Sequence, residues 1–206
     1  MQKRYLTRSI IILALLVIGG SHTLAAEGDW LVRGRLLVVD PNASSSGTLN
    51  TLDVDSNFTV EVDVSYFFTD RIAIEAIAAT TSHTVTLRDV DSGEVMDLGS
   101  ASLLPPTVLL QYHFVPDGSI RPYIGAGINY TIFYEQSGML ADLDGLDGSF
   151  GLAAQLGVDF MLSDTLSFNV DLKYIDMSTT VSSNGTKLAD LTIDPLVLGF
   201  GVGWRF

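Results

Sequence analysis

Cysteine is absent from the chain. That excludes disulfides, thiolate metal sites and a cysteine nucleophile. Basic residues are scarce, with 11 Lys and Arg against 24 Asp and Glu and a net charge of −13. A nucleic-acid partner is read by a basic stripe, and this chain has none to offer. Also missing is any apolar run of about 20 residues, the length a membrane-spanning helix requires. Hydrophobicity itself is plentiful: 47% of residues are apolar, only 17% are charged, and the mean hydropathy is +0.35. Such a chain buries enough surface to fold, and 206 residues favour one domain. High hydrophobicity without a spanning helix points to a transmembrane β-barrel.

The N-terminus reads as a removable address. Lys3, Arg4 and Arg8 precede an unbroken apolar stretch, Ile10 to Ile18, and Ala25 and Ala26 supply a small-residue cleavage site. This is the secretory signal pattern. Residues 1–26 are therefore expected to be a signal peptide, and 27–206 the folded barrel. The segment carries three bases and no acid, so its removal leaves the remainder still more acidic.

From Trp30 onward the hydrophobic period is two, the mark of a strand with each face in a different environment. Phe58, Val60, Val62, Val64, Tyr66 and Phe68 alternate with Thr59, Glu61, Asp63, Ser65 and Phe67. Seven other runs, starting near Trp30, Ile72, Thr107, Arg121, Phe150, Leu166 and Leu196, behave alike. The connections alternate in length. Short ones lie at 69–71, 115–119 and 161–165; long ones lie at 40–57, 82–103, 134–149 and 176–194. Short periplasmic turns and long outer loops are the outer-membrane pattern. Aromatic residues gather on the apolar face at the short-turn end (Trp30, Tyr66, Phe68, Tyr112, Phe114, Phe160 and Trp204), as an interfacial girdle does. The predicted fold is all-β: an eight-stranded antiparallel transmembrane β-barrel with short periplasmic turns and long extracellular loops. The alternation of the last strand ends on Trp204 and Phe206, which fits a C-terminal signal for the barrel assembly machinery.

Most acids fall in the four long connections, accompanied there only by the bases Arg88 and Lys187. They form a solvated, repulsive outer surface facing lipopolysaccharide. Asp142 to Gly148 has calcium-loop features but lacks the full ligand pattern and terminal Glu, so no metal site is assigned. The inward face is different. Arg33, Arg35, Arg121, Lys173 and Arg205 are balanced there by Glu61, Asp63, Glu75, Asp159 and Asp171. Eight strands leave an interior that side chains fill, and buried charges must pair, so a salt-bridge plug is expected. By height, the inward residues Leu37, Val39, Ile77, Leu109, Phe133, Ile175 and Val197 lie nearer the long-loop end. Arg33, His113, Arg121, Asp159 and Arg205 lie nearer the short turns. The lumen thus reads as an apolar cup above a charged floor, to which Arg35, Glu75, Asp171 and Lys173 are also assigned, a profile suited to apolar solutes and not to a wide aqueous pore.

Several stretches together resemble one family. They are Leu104-Pro105-Pro106-Thr107, the run Arg121-Pro122-Tyr123-Ile124-Gly125-Ala126-Gly127-Ile128-Asn129-Tyr130, Gly157-Val158-Asp159, Asp194-Pro195 and Trp204-Arg205-Phe206. The chain from about Glu27 to Phe206 is similar to the outer membrane protein W (OmpW) family, which includes alkane-uptake proteins. The resemblance implies an eight-stranded barrel with a narrow apolar channel, no cofactor, and uptake of small hydrophobic compounds released sideways into membrane lipid. Proline cannot donate a ladder hydrogen bond. Pro105, Pro106 and Pro195, near the upper ends of strands, are candidates for a gap in the wall.

Two other functions compete. A closed barrel acting through its loops as a structural protein or receptor needs no apolar lumen. A lipid-modifying enzyme needs a nucleophile and base, yet beyond the leader only His83 and His113 remain and neither sits in a nucleophile motif. The apolar cup favours uptake.

Overall fold

The computed structural model describes residues 27–47, 51–88, 94–142, 146–183 and 185–206. The proposed leader, the acids Asp89, Asp91 and Asp144, and part of the calcium-like stretch lie outside the described residues.

Eight strands close a barrel. In chain order they are β1 (Trp30–Asp40), β4 (Asn57–Phe67), β5 (Ile72–Ala79), β8 (Thr107–His113), β9 (Ile120–Tyr134), β10 (Ser149–Met161), β11 (Leu166–Ile175) and β14 (Leu196–Arg205). Each pairs antiparallel with its neighbour, and β14 returns to β1 from Leu31↔Arg205 to Asp40↔Leu196. Closure leaves no free edge at that level, as a membrane demands of strands. Among the described residues no helix is long and apolar enough to cross a bilayer.

The alternation turns into two surfaces. Outward, Leu36, Phe58, Val62, Leu110, Leu152 and Phe200 stand exposed, Phe58 at 80%. In water such a belt would be unfavourable by about 25 cal/mol per Å²; against lipid tails the penalty vanishes. Aromatic rings rim its short-turn end: Trp30 and Tyr66 are 5.0 Å apart, and Tyr112 and Phe114 are 5.2 Å apart.

The long connections are not loops throughout. They carry β2 (Ser44–Gly47), β3 (Leu52–Val54), β6 (Thr81–Arg88), β7 (Val95–Leu104), β12 (Ser178–Ser183) and β13 (Thr186–Thr192). These extend the wall above the barrel. The β6–β7 hairpin starts in the register of β5–β8 and slips by one residue after Val85, and β12–β13 starts in that of β11–β14 and slips after Val181. A 3-10 turn, Gly138–Asp142, docks on β7. Leu52, Val54, Val85, Leu140, Val181 and Leu191 bury their side chains inside this extension, so the apolar column continues upward.

Candidate functional site

The barrel's middle is filled by charge. Arg33 lies flat against Asp159, with Nη2 donating to Oδ2 at 2.9 Å and Nε to Oδ1 at 3.2 Å. Its Nη1 donates to Asp63, Ser65 and Glu75 at 3.2 to 3.3 Å. Arg35 donates to Glu61 at 2.5 Å, Asn169 at 2.8 Å and Glu75 at 3.0 Å. Lys173 joins Glu61 at 2.8 Å to Asp171 at 3.1 Å. Gln111 and Gln155 stitch Glu75 to Asp171 through bonds of 2.7 to 2.9 Å. All are buried. Excellent geometry is what lets buried ions repay their desolvation.

Part of the predicted floor is arranged otherwise. Arg35, Lys173 and Glu75 reach to mid-height, so the charged layer is a thick plug and not a floor at the short-turn end. His113 is not in an ion pair. Its ring stacks on Tyr123 at 5.0 Å and tilts against Phe67 at 4.9 Å, and its Nε2 bonds Gln111. Arg205 lies 4.0 Å over the Phe67 ring and 3.7 Å from Asp29. Arg121 Nε donates to the Gly118 carbonyl at 2.9 Å. Phe67 comes from a strand far from both His113 and Arg205 in sequence, and Gly118 offers Arg121 a carbonyl from the adjoining turn, so charge alternation alone gives no sign of these partners. Trp204 faces outward and pairs with Val32, while the Phe206 backbone bonds Trp30 at both N and O.

Above the plug lies a narrow apolar cavity. Leu37, Val39, Ile77, Ile175 and Val197 line it, together with Leu103 and Met177. Glu61 and Lys173 form its base. Leu109 is fully buried but level with Glu75, its ladder partner, and lies outside the lining. Phe133 packs half-buried against the same apolar cluster, also outside the lining. A second narrow apolar void lies higher, among Leu52, Val85, Leu98, Leu140, Leu146, Val181 and Leu191.

Pro105 and Pro195 both line the lower cavity. Beside Pro105 the wall is interrupted. β5 pairs with β8 up to Ile77↔Thr107, and β6 pairs with β7 from Thr81↔Leu103 in the same register. Among the described residues, 78–80 and 104–106 between them form no ladder pairs. Four residue steps at about 3.3 Å make this about 13 Å of wall. Two consecutive prolines offer no N–H there. The other side of the prolines stays closed, since Tyr130 N donates to Pro106 O at 3.0 Å and Leu104 pairs with Ile132. At Pro195 the neighbouring strands are still bridged. Ile175 N donates to Pro195 O at 3.3 Å, and Asn42 N to Ile193 O at 2.9 Å. Among the described residues no cluster of His, Asp and Glu has the makings of a metal site.

Comparison with known proteins agrees with this architecture. The OmpW family model matches residues 26–206. Outer membrane protein W of Vibrio cholerae serotype O1 is 38% identical over 195 residues, covering 87% of this chain and 89% of its own. The dibenzothiophene metabolism operon protein PahQ of Pseudomonas aeruginosa is 26% identical over 212 residues, 97% of this chain and 99% of its own. The crystal structure of the outer membrane protein OprG from Pseudomonas aeruginosa superposes with a TM-score of 0.78 at 30% identity, covering 90% of this chain and 99% of that one. The chain belongs to the OmpW family and is an outer-membrane β-barrel.

Proposed function

We propose that the barrel passively takes up small hydrophobic molecules from outside the cell and releases them sideways into the outer membrane. The observation that carries this reading is the position of the lower cavity. It is apolar, it rests on a charged plug, and residues on both edges of the wall break line it: Ile77, Ala79 and Thr81 on one side, Leu103, Pro105 and Thr107 on the other. A hydrocarbon gains by leaving water for such a lining. Going on toward the periplasm would require parting buried ion pairs, at about 3–5 kcal/mol for each uncompensated charge. Bilayer tails beside the break are the easier sink. No catalytic step is assigned.

A polycyclic aromatic is a fitting test solute, since one relative takes its name from an operon of dibenzothiophene metabolism. The test is the initial rate of naphthalene uptake by cells producing the protein. Val197→Asn puts an amide into the cavity without a charge. The reading expects a several-fold fall, with the amount of folded barrel unchanged. An unaltered rate favours the closed structural barrel.

A further inference from the structure

Among the described residues, one side-chain hydrogen bond crosses the wall break. Thr80 lies between β5 and β6, and its hydroxyl bonds the hydroxyl of Tyr134, the last residue of β9. At this height the strand order is β9, β7, β6. Tyr134 pairs with Ser102 on β7 through its backbone, and its side chain reaches past β7 to Thr80. Both residues face outward, on the lipid side of the wall. The strip around Thr80 has little else to hold it. On its far side the β4–β5 ladder ends at Glu61↔Ala79. Above that point the Thr59 hydroxyl donates to Thr80 O and the Asn57 amide to Ser82 O, side chains standing in for backbone.

From this arrangement, and resting on the uptake reading above, we infer that the Thr80–Tyr134 hydroxyl pair is a bolt: it holds the wall break shut and opens when a solute passes from the cavity to the bilayer. Neither Thr80 nor Tyr134 lines the cavity, so the pair is not placed to bind the solute. The pair acts by positioning the strip from Ala78 to Thr80. Its place at the outer, lipid-facing surface also means that an entering acyl chain or a leaving solute meets it last.

Tyr134→Phe and Thr80→Val each remove one hydroxyl and keep the shape. Each variant should raise the initial rate of naphthalene uptake by about 3- to 10-fold, the factor one net hydrogen bond supplies. The double variant should go no further than either single, since both remove the same bond. Amide exchange at Ala79–Thr81, measured in lipid vesicles, should quicken by a similar factor in Tyr134→Phe, while the heat-induced unfolding of the barrel stays put. Unchanged exchange overturns the bolt whatever uptake does. So do additive gains, or a lowered or unchanged rate in cells where Val197→Asn still cuts uptake. If Val197→Asn has no effect, the uptake reading fails, and exchange alone decides whether the pair closes the wall.

Discussion

Arg33 and Asp159 are 126 residues apart in sequence, and their side chains meet in the lumen through two hydrogen bonds of 2.9 and 3.2 Å. β1 and β10 lie on different sides of the barrel, so this pair spans its interior. Asp159→Asn should therefore cost about 3–5 kcal/mol, because it leaves a guanidinium buried with less than its share of opposing charge. Urea unfolding in lipid vesicles measures the loss. Replacing both residues by alanine should in addition admit ions, read as single-channel conductance in a planar bilayer where the unaltered protein is nearly silent.

Tyr123 imposes a second, local constraint. Its ring lies against Gly157, where a Cβ would collide with it, and it carries Arg33 on its face at 5.0 Å. Gly157→Ala should destabilise the barrel by about 1–3 kcal/mol through overpacking. The same substitution at Gly34, where a Cβ meets open space, should cost far less, and the comparison under identical unfolding conditions is the check.

The eight barrel strands are legible in the sequence because two environments impose a strict period of two, as from Phe58 to Phe68. The inward charges are legible for the same reason. The outer extension is not. Thr81–Arg88 and Ser178–Ser183 are rich in Ser and Thr, and their inward face mixes Thr81, His83 and Thr179 with Val85 and Val181, so hydrophobic alternation weakens. What makes them strands is the register they inherit from β5 and β11. Tyr123 meets His113 as its partner across the β8–β9 hairpin, but the meeting of His113 and Arg205 on the Phe67 ring depends on the assembled barrel, which no local pattern encodes. The prolines mark where a wall break is possible, yet only the pairing reveals that β9 keeps its side and β5 loses its own.

Processing gives a simpler expectation. The mature protein should begin at Ala26 or Glu27, and mass spectrometry of membrane-extracted material should find no fragment containing Lys3 to Arg8. Retention of that segment would contradict the leader reading.

Phe206 offers a separation of assembly from stability. Its backbone bonds Trp30, but its side chain ends the outward and inward pattern at the rim. Deleting it should reduce barrel assembly in cells several-fold, while refolding into detergent changes little. Equal losses in both assays would remove the role proposed for the barrel assembly machinery.

The wall break is the centre of the account, and it can be closed by chemistry. Pro105→Thr returns an N–H donor aimed at 78–80, and Pro106→Thr beside it, whose carbonyl already faces β9, frees the backbone so that the ladder can continue. The decisive measurement is the initial rate of naphthalene uptake by cells producing this double variant, set beside cells producing the Arg33→Ala, Asp159→Ala barrel. The account predicts that the closed wall lowers uptake nearly to that of cells lacking the protein, while the opened plug leaves it almost unchanged. Full uptake through the closed wall, with the plug variant alone altering the rate, would contradict it and make the barrel a through-pore.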